Sequence, residues 1–251
     1  MTKTPQINLY ATDTHPCSYL TGQEAKTIFI DPYLPVNAEL YGQLSGQGFR
    51  RSGNHIYRPQ CPHCQACIPI RIPVDHFQPD RRQRRIWKLN QDLRVEVSTD
   101  IASGECYRLY ERYINERHSD GDMFPPDRKQ FEAFLATPFF GKQEGDLPVL
   151  DETSQITVYL EFRLAHELKA VAVTDITPVG LSAVYTFFDP ADSSRSLGVF
   201  SVLFQIELAK KLALPHLYLG YWIKSAKKMS YKTNYQPYEL HQAGKWRRGD
   251  D

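Results

Sequence analysis

Apolar positions along this chain change their period, and the changes mark out its elements. Over VNAELYGQL, Val36, Leu40 and Leu44 recur at helical spacing, and Gly46 and Gly48 stop the helix. A second helix is predicted after Pro79, with Asp80 as N-cap of RRQRRIWKLNQDL. Its apolar face carries Ile86, Leu89 and Leu93, and its basic face Arg81, Arg84, Arg85 and Lys88. The remainder of the first 95 residues is rich in turn formers and poor in long periodic runs. Beyond it, SGECYRLYERYINERH sets Cys106, Leu109, Tyr110, Tyr113 and Ile114 at helical intervals behind a Ser103 cap, and PDRKQFEAFLAT predicts another helix. The period then falls to two: ITVYLEFRL, LKAVAVTDI and LSAVYTFF read as three successive strands with short turns. Polar DPADSSRSLG leads into a helix, VFSVLFQIELAKKLAL, and a strand, HLYLGYWI.

These elements predict an α+β protein in two parts. Residues 1–95 form a smaller cysteine- and arginine-rich region, and residues 96–251 the larger domain. Three meandering strands, a helix and a further strand are the core order of a GNAT-like acyltransferase, whose splayed sheet holds an activated acyl donor. Many α+β domains share that order.

Composition narrows the classes. At 251 residues and 41% hydrophobic content, the chain can bury one large core or two modest ones. No run approaches the roughly 18 apolar residues of a membrane span, and MTKTPQINLY has no apolar signal core, so a cytoplasmic protein with no membrane partner is expected. A net charge of +1 hides a gradient. Arg50, Arg51, Arg58, Arg71, Arg81, Arg82, Arg84, Arg85, Lys88 and Arg94 stand against Asp75, Asp80 and Asp92, whereas Asp100 to Glu161 is rich in acids. Such local polarity suits a polyanion. Arginine forks bind phosphate and carboxylate alike, so a tRNA backbone or an acidic substrate is the target. Nothing resembles a reader of duplex base edges, which excludes DNA.

Five cysteines, four of them before residue 70, fit a reducing compartment and a metal or redox role better than a disulfide framework. Cys61, Cys64 and Cys67 have Cys-x-x-Cys-x-x-Cys spacing, which lets three thiols turn toward one ion. Cys17 is the natural fourth ligand, with His15 or His63 as substitutes, and zinc and an iron–sulfur cluster both accept the set. Three cysteines lining a loop without metal is the alternative. Cys106 lies in an apolar helical pattern and reads as a core thiol.

The segments HPCSYLTGQ, GFRRSGNHIYRPQCPHCQACIPIRIPV, RHSDGDM, LSAVYTFFDP, SLGVFSVLFQIELAKKL and YLGYWIKSAKKMSYKTNYQPYEL, in this order over residues 15 to 240, resemble those of the bacterial aminoacyl-tRNA–protein transferases. Enzymes of that family add leucine to proteins beginning with Asp or Glu and so mark them for N-degron degradation. Leu20 stands where the eukaryotic arginyl-transferring relatives carry a second cysteine, which points to the bacterial leucyl branch. The resemblance implies leucyl-tRNA and proteins with N-terminal Asp or Glu as partners, a GNAT-like transfer domain and no cofactor for transfer itself, with zinc or an iron–sulfur cluster as candidates at Cys17, Cys61, Cys64 and Cys67.

The implied reaction is aminolysis of an ester, which needs positioning, a proton acceptor and oxyanion donors rather than a covalent nucleophile. Candidate catalytic residues are Asp175 and Glu161, as acids near strand ends, and Tyr185. Candidate substrate contacts are Tyr221 and Tyr231, with Arg50, Arg51 and Lys232 as cations for the acidic side chain. Candidate tRNA contacts are Arg81, Arg84, Arg85 and Lys88, with Gly198 and Ser201 where a loop enters a helix and free N–H groups meet phosphate. A coenzyme A-dependent N-acetyltransferase of the same fold is the competing enzyme reading. It calls for a glycine-rich loop before the long helix, and SSRSLGVFS offers one glycine. A zinc-dependent RNA-binding module would explain the first region and leave the second without purpose.

Overall fold

A computed structural model describes residues 7–136, 139 and 156–249. In chain order the elements are β1 (Leu9–Ala11), β2 (His15–Pro16), β3 (Glu24–Ala25), β4 (Thr27–Ile30), α1 (Ala38–Gly46), β5 (Arg50–Ser52), β6 (His55–Pro59) and β7 (Ile68–Pro73). There follow α2 (Arg81–Leu89), β8 (Arg94–Ser98), α3 (Gly104–Arg117), α4 (Arg128–Phe131), β9 (Thr157–Leu164), β10 (Glu167–Thr177), β11 (Gly180–Phe188), α5 (Leu197–Lys211), β12 (His216–Trp222), β13 (Glu239–Gln242) and β14 (Lys245–Arg248). The architecture is α+β around one large mixed sheet.

That sheet has eight strands in the order β14-β13-β7-β12-β11-β10-β9-β8, and β11 and β12 are its parallel pair. Strand β7, from the first 95 residues, lies between β12 and β13. Alternation explains why the sheet is covered on both faces. Val158, Leu160 and Phe162 of β9 and Ala170, Ala172 and Ile176 of β10 point to a core shared with α2 and α5. Tyr159, Val171 and Val173 point the opposite way, into a core built with Leu109, Tyr110 and Ile114 of α3 and Phe131 of α4. A four-stranded antiparallel sheet, β1-β4-β6-β5, and α1 enclose a third core around Ile28, Tyr41, Leu44, Phe49 and Ile56.

The caps predicted at Asp80 and Ser103 have their physical counterparts, and α1 has one, Asn37, that the sequence pattern does not name. Asp80 and Gln83 form a reciprocal capping box at the start of α2, Asn37 accepts from the Leu40 amide at α1, and Ser103 accepts from the Cys106 amide at α3. The helix predicted over PDRKQFEAFLAT is shorter: α4 ends at Phe131 and widens to a π-type turn over Glu132–Ala136, and Thr137 lies outside the described residues. The short strands β1 to β6, β8, β13 and β14 carry too few alternating positions to announce themselves.

Candidate active site

The parallel pairing of β11 and β12 covers Leu181 with Leu217 and Ser182 with Tyr218, and then stops. Each strand bulges at that point. The register of β10 on β11 jumps from Val173 opposite Tyr185 to Thr174 opposite Ala183, which leaves Val184 as the extra residue. Between Tyr218 and Tyr221 the pairing of β12 with β7 also gains a residue, and Gly220 there adopts φ +78°. Bulges bend strands and increase their twist, so two at the same level part β11 from β12. Residues 183–186 of β11 are accordingly only half-buried.

Arg50 of β5 fills the gap. Its guanidinium donates to the Ala183 carbonyl at 2.8 Å and the Val184 carbonyl at 3.5 Å, and to Ser182 Oγ at 3.4 Å. A Cβ on Gly220 would come within 2.8 Å of Arg50 Cζ, so the glycine both permits the bulge and makes room for the arginine. On the β12 side Lys232 Nζ donates to the Tyr221 carbonyl at 2.6 Å. Burial first, and Arg50 second, push the Lys232 ammonium down to about 7. Among the described residues neither Arg50 nor Lys232 has a carboxylate partner.

Aromatic side chains line the rest. Burial, opposed by Arg50, raises the Tyr231 hydroxyl, and Tyr231 is 43% exposed. Tyr185 packs edge-on against Tyr113 and Phe134, with ring centroids 6.4 and 5.7 Å away. Burial, with Tyr231 adding, lifts the Tyr113 hydroxyl to about 12. The Tyr221 hydroxyl is committed to the carbonyls of Gly48 (2.9 Å) and Tyr57 (3.3 Å), so that residue ties β12 to the first region. Tyr57, Tyr113 and the β11 bulge carry no clear signal in the sequence. Gly220 does, since a lone glycine inside a strand pattern marks a bulge.

The other candidates lie elsewhere or are sealed. Arg51 binds Asp175 through two parallel bonds of 2.8 Å, and neither side chain has solvent exposure. Thr157 donates to the same carboxylate, and Arg51 also donates to the Gly53 carbonyl. Glu161 on β9 is bound by Arg163 at 2.6 Å in a network with Glu105. Ser201 is fully buried and returns its hydroxyl to the Leu197 carbonyl. Gly198, one turn earlier, packs on Phe188 behind a Ser196 cap of left-handed conformation.

Arg81, Arg84, Arg85 and Lys88 are all exposed along α2, while Ile86 and Trp87 face α5, with Trp87 5.4 Å from Phe200. The four half-buried thiols Cys17, Cys61, Cys64 and Cys67 are free. Burial, then Cys61, Cys17 and Cys64, push the Cys67 thiol up to about 11, so the four are neighbours. Among the described residues no three His, Cys, Asp or Glu side chains converge in a metal-binding arrangement. No helix among them is long and apolar enough to cross a membrane.

Comparison with known proteins supplies the family. The profile described as arginine-tRNA-protein transferase, N terminus, matches residues 15–85, and the one described as arginine-tRNA-protein transferase, C terminus, matches residues 105–242. An aspartate/glutamate leucyltransferase of Teredinibacter turnerae is 55% identical over 96% of this chain and 93% of its own. Proteins of that name from Pseudomonas syringae pv. tomato and Pseudomonas aeruginosa are 49% and 50% identical, each over 98% of both chains. The parted strands, their cation and both halves of the sequence therefore sit in one lineage: the chain belongs to the arginine-tRNA-protein transferase family.

Proposed function

We propose that the protein transfers leucine from leucyl-tRNA to the α-amino group of proteins that begin with Asp or Glu. It is an aminoacyltransferase, and the relatives that carry this activity in their name span nearly its whole length. The observation that carries the choice of acceptor is Arg50, a cation seated in the split with spare N–H groups and no acidic partner among the described residues. A carboxylate at an acceptor's first position supplies what Arg50 lacks, whereas Asn or Gln supplies no charge.

An ester is already activated, so the protein's task is alignment and electrostatics. The order β9-β10-β11-α5-β12 with a parted parallel pair supports a GNAT-like domain, in which the leucyl ester lies between β11 and β12. The leucine side chain then meets the wall of Tyr113, Tyr185 and Tyr231, and Tyr221 keeps the first region docked against that space. The exposed arginines and lysine of α2 follow the tRNA backbone, with Gly198 at the start of α5 toward the ester end. Arg51, Asp175 and Glu161 act as scaffold, since their charges are already consumed internally. Functionally the chain divides near residue 95, into a recognition part and a transfer part. Zinc or an iron–sulfur cluster at Cys17, Cys61, Cys64 and Cys67 would require the loop to draw the thiols together, since among the described residues no three of them converge on one point. A reaction that draws on charged tRNA, made where translation runs, favours a cytoplasmic enzyme.

The test is to incubate the protein with leucyl-tRNA and peptides beginning Asp, Glu, Asn and Arg. Labelling of the Asp and Glu peptides alone is expected. Equal labelling of all four, or of none, overturns the proposal.

A further inference from the structure

We propose that Lys232 is the proton-transfer residue of this reaction, taking a proton from the attacking nitrogen and returning one to the leaving tRNA oxygen. This rests on the leucyl-transfer reading and adds a role to it. The geometry comes first. Lys232 Nζ stands on the β12 lip of the split and is fixed by one bond to the Tyr221 carbonyl, 2.6 Å away. It is half-buried, has no carboxylate partner among the described residues, and has the Tyr231 ring 6.0 Å away. A neutral amine needs one N–H for the carbonyl and keeps its lone pair for the open side. Asp175 and Glu161, the acids nearest this end of the sequence pattern, are engaged by Arg51 and Arg163. Lys232 is thus the base at the gap.

The electrostatics agree. Arg50 from β5 is the charge that acts on Lys232, the Tyr221 carbonyl and the Tyr231 ring are the groups beside it, and Arg50 acts in turn on the hydroxyls of Tyr57, Tyr221 and Tyr231. Burial and Arg50 together hold the lysine at about 7, where a general base works best near neutral pH. An acceptor carboxylate on Arg50 offsets the cation that depresses Lys232. Binding of Asp or Glu therefore raises the proton affinity of the base it will use, and an Asn-initiated peptide loses turnover as well as affinity.

The step balances as follows. The acceptor's ammonium gives its first proton to water, and the amine lone pair forms the N–C bond while the carbonyl π pair moves to oxygen. Lys232 takes the second proton from the tetrahedral nitrogen. As the carbonyl reforms, the C–O bond to the tRNA ribose breaks, and the ribose oxygen receives a proton from the Lys232 ammonium. Lysine ends neutral, and the products are a peptide bond and an uncharged tRNA.

The experiment measures kcat and KM for Asp-, Glu- and Asn-initiated peptides at saturating leucyl-tRNA from pH 5.5 to 9, in wild type and in Lys232→Arg and Lys232→Gln. Arginine keeps the cation and cannot give up its proton; glutamine keeps a donor for the Tyr221 carbonyl. A proton-transfer role predicts a wild-type kcat/KM limb at about 7, the value of the free enzyme, and a kcat limb for the Asp peptide displaced above it, and both variants lack the Lys232 limb. It also predicts a kcat about 10²–10⁴-fold lower in both, with KM for the Asp peptide within about threefold. A Lys232→Arg enzyme with wild-type kcat overturns the role, as does a loss confined to KM, which would make Lys232 a carboxylate clamp. If the variants misfold, the wild-type limb decides alone: its absence overturns the proposal. Wild type that labels no acidic peptide sinks the leucyl-transfer reading itself, a separate result.

Discussion

Arg50 and Arg51 are adjacent on one strand, and strand geometry sends them to opposite faces. Arg51 goes inward, where a bidentate pair with Asp175 satisfies both charges away from water. Arg50 goes to the split and keeps donors to spare. Removal of one member of a buried pair leaves an uncompensated charge, which costs about 3–5 kcal/mol, while removal of both is far cheaper. Arg51→Met is therefore expected to lower the unfolding free energy read from urea denaturation by an amount near that range, and Arg51→Met with Asp175→Asn to recover most of it. If the double variant is no more stable than the single one, Asp175 does more than balance Arg51. Sequence makes both arginines equally good candidates, because charge type and neighbourhood in the chain are identical. Which one is enclosed depends on the register of β5 with β6 and on Thr157, a residue 106 positions away.

At the scale of elements, α2 is two-faced: Ile86 and Trp87 anchor it on α5, and Arg81, Arg84, Arg85 and Lys88 stand in solvent. If that face follows a phosphate backbone, replacement of the four by Ala should weaken leucyl-tRNA binding and flatten its salt dependence by about 0.7–0.9 log units for each phosphate no longer neutralised. KM for the acceptor peptide should not move. Unchanged salt dependence in a filter-binding titration would make α2 an ordinary solvated helix. Elements of this kind, with a cap, a period and enough residues to support both, are legible in the sequence: α1, α3, α5, β9, β10, β11 and β12 lie where patterning predicts them, and α2 begins there but ends at Leu89, short of the predicted Leu93 and with Leu89 exposed. The β11 bulge is not legible, because a bulge is one residue of mismatch between partners, and partners are not visible in a single strand's pattern without a glycine such as Gly220 to mark the place.

At the scale of the molecule, the charge state of half-buried histidines links stability to pH. Burial first, helped by Lys228 at His118, by Arg71 at His216 and by Arg58 at His241, lowers the proton affinity of all three. An unfolded chain binds protons there from about pH 6.5 downward while the folded chain refuses them. The unfolded state then holds more protons, so stability falls as pH drops below that value. Lys232 acts with the same sign higher up: between about 7 and 10 the unfolded chain is the more protonated, and stability rises with pH. Urea midpoints should climb steadily from pH 5.5 to 9. A flat profile would mean that these groups titrate alike in both states.

Because β7 is woven between β12 and β13, the two halves of the polypeptide share a backbone seam as well as a substrate. A gene fusion that traded only the latter half for a cousin's would leave the resident β7 to pair on both sides with foreign strands, so two registers would have to match at once. Exchange between relatives is therefore favoured when it carries both parts together, so that the strand and its two neighbours arrive as one matched set.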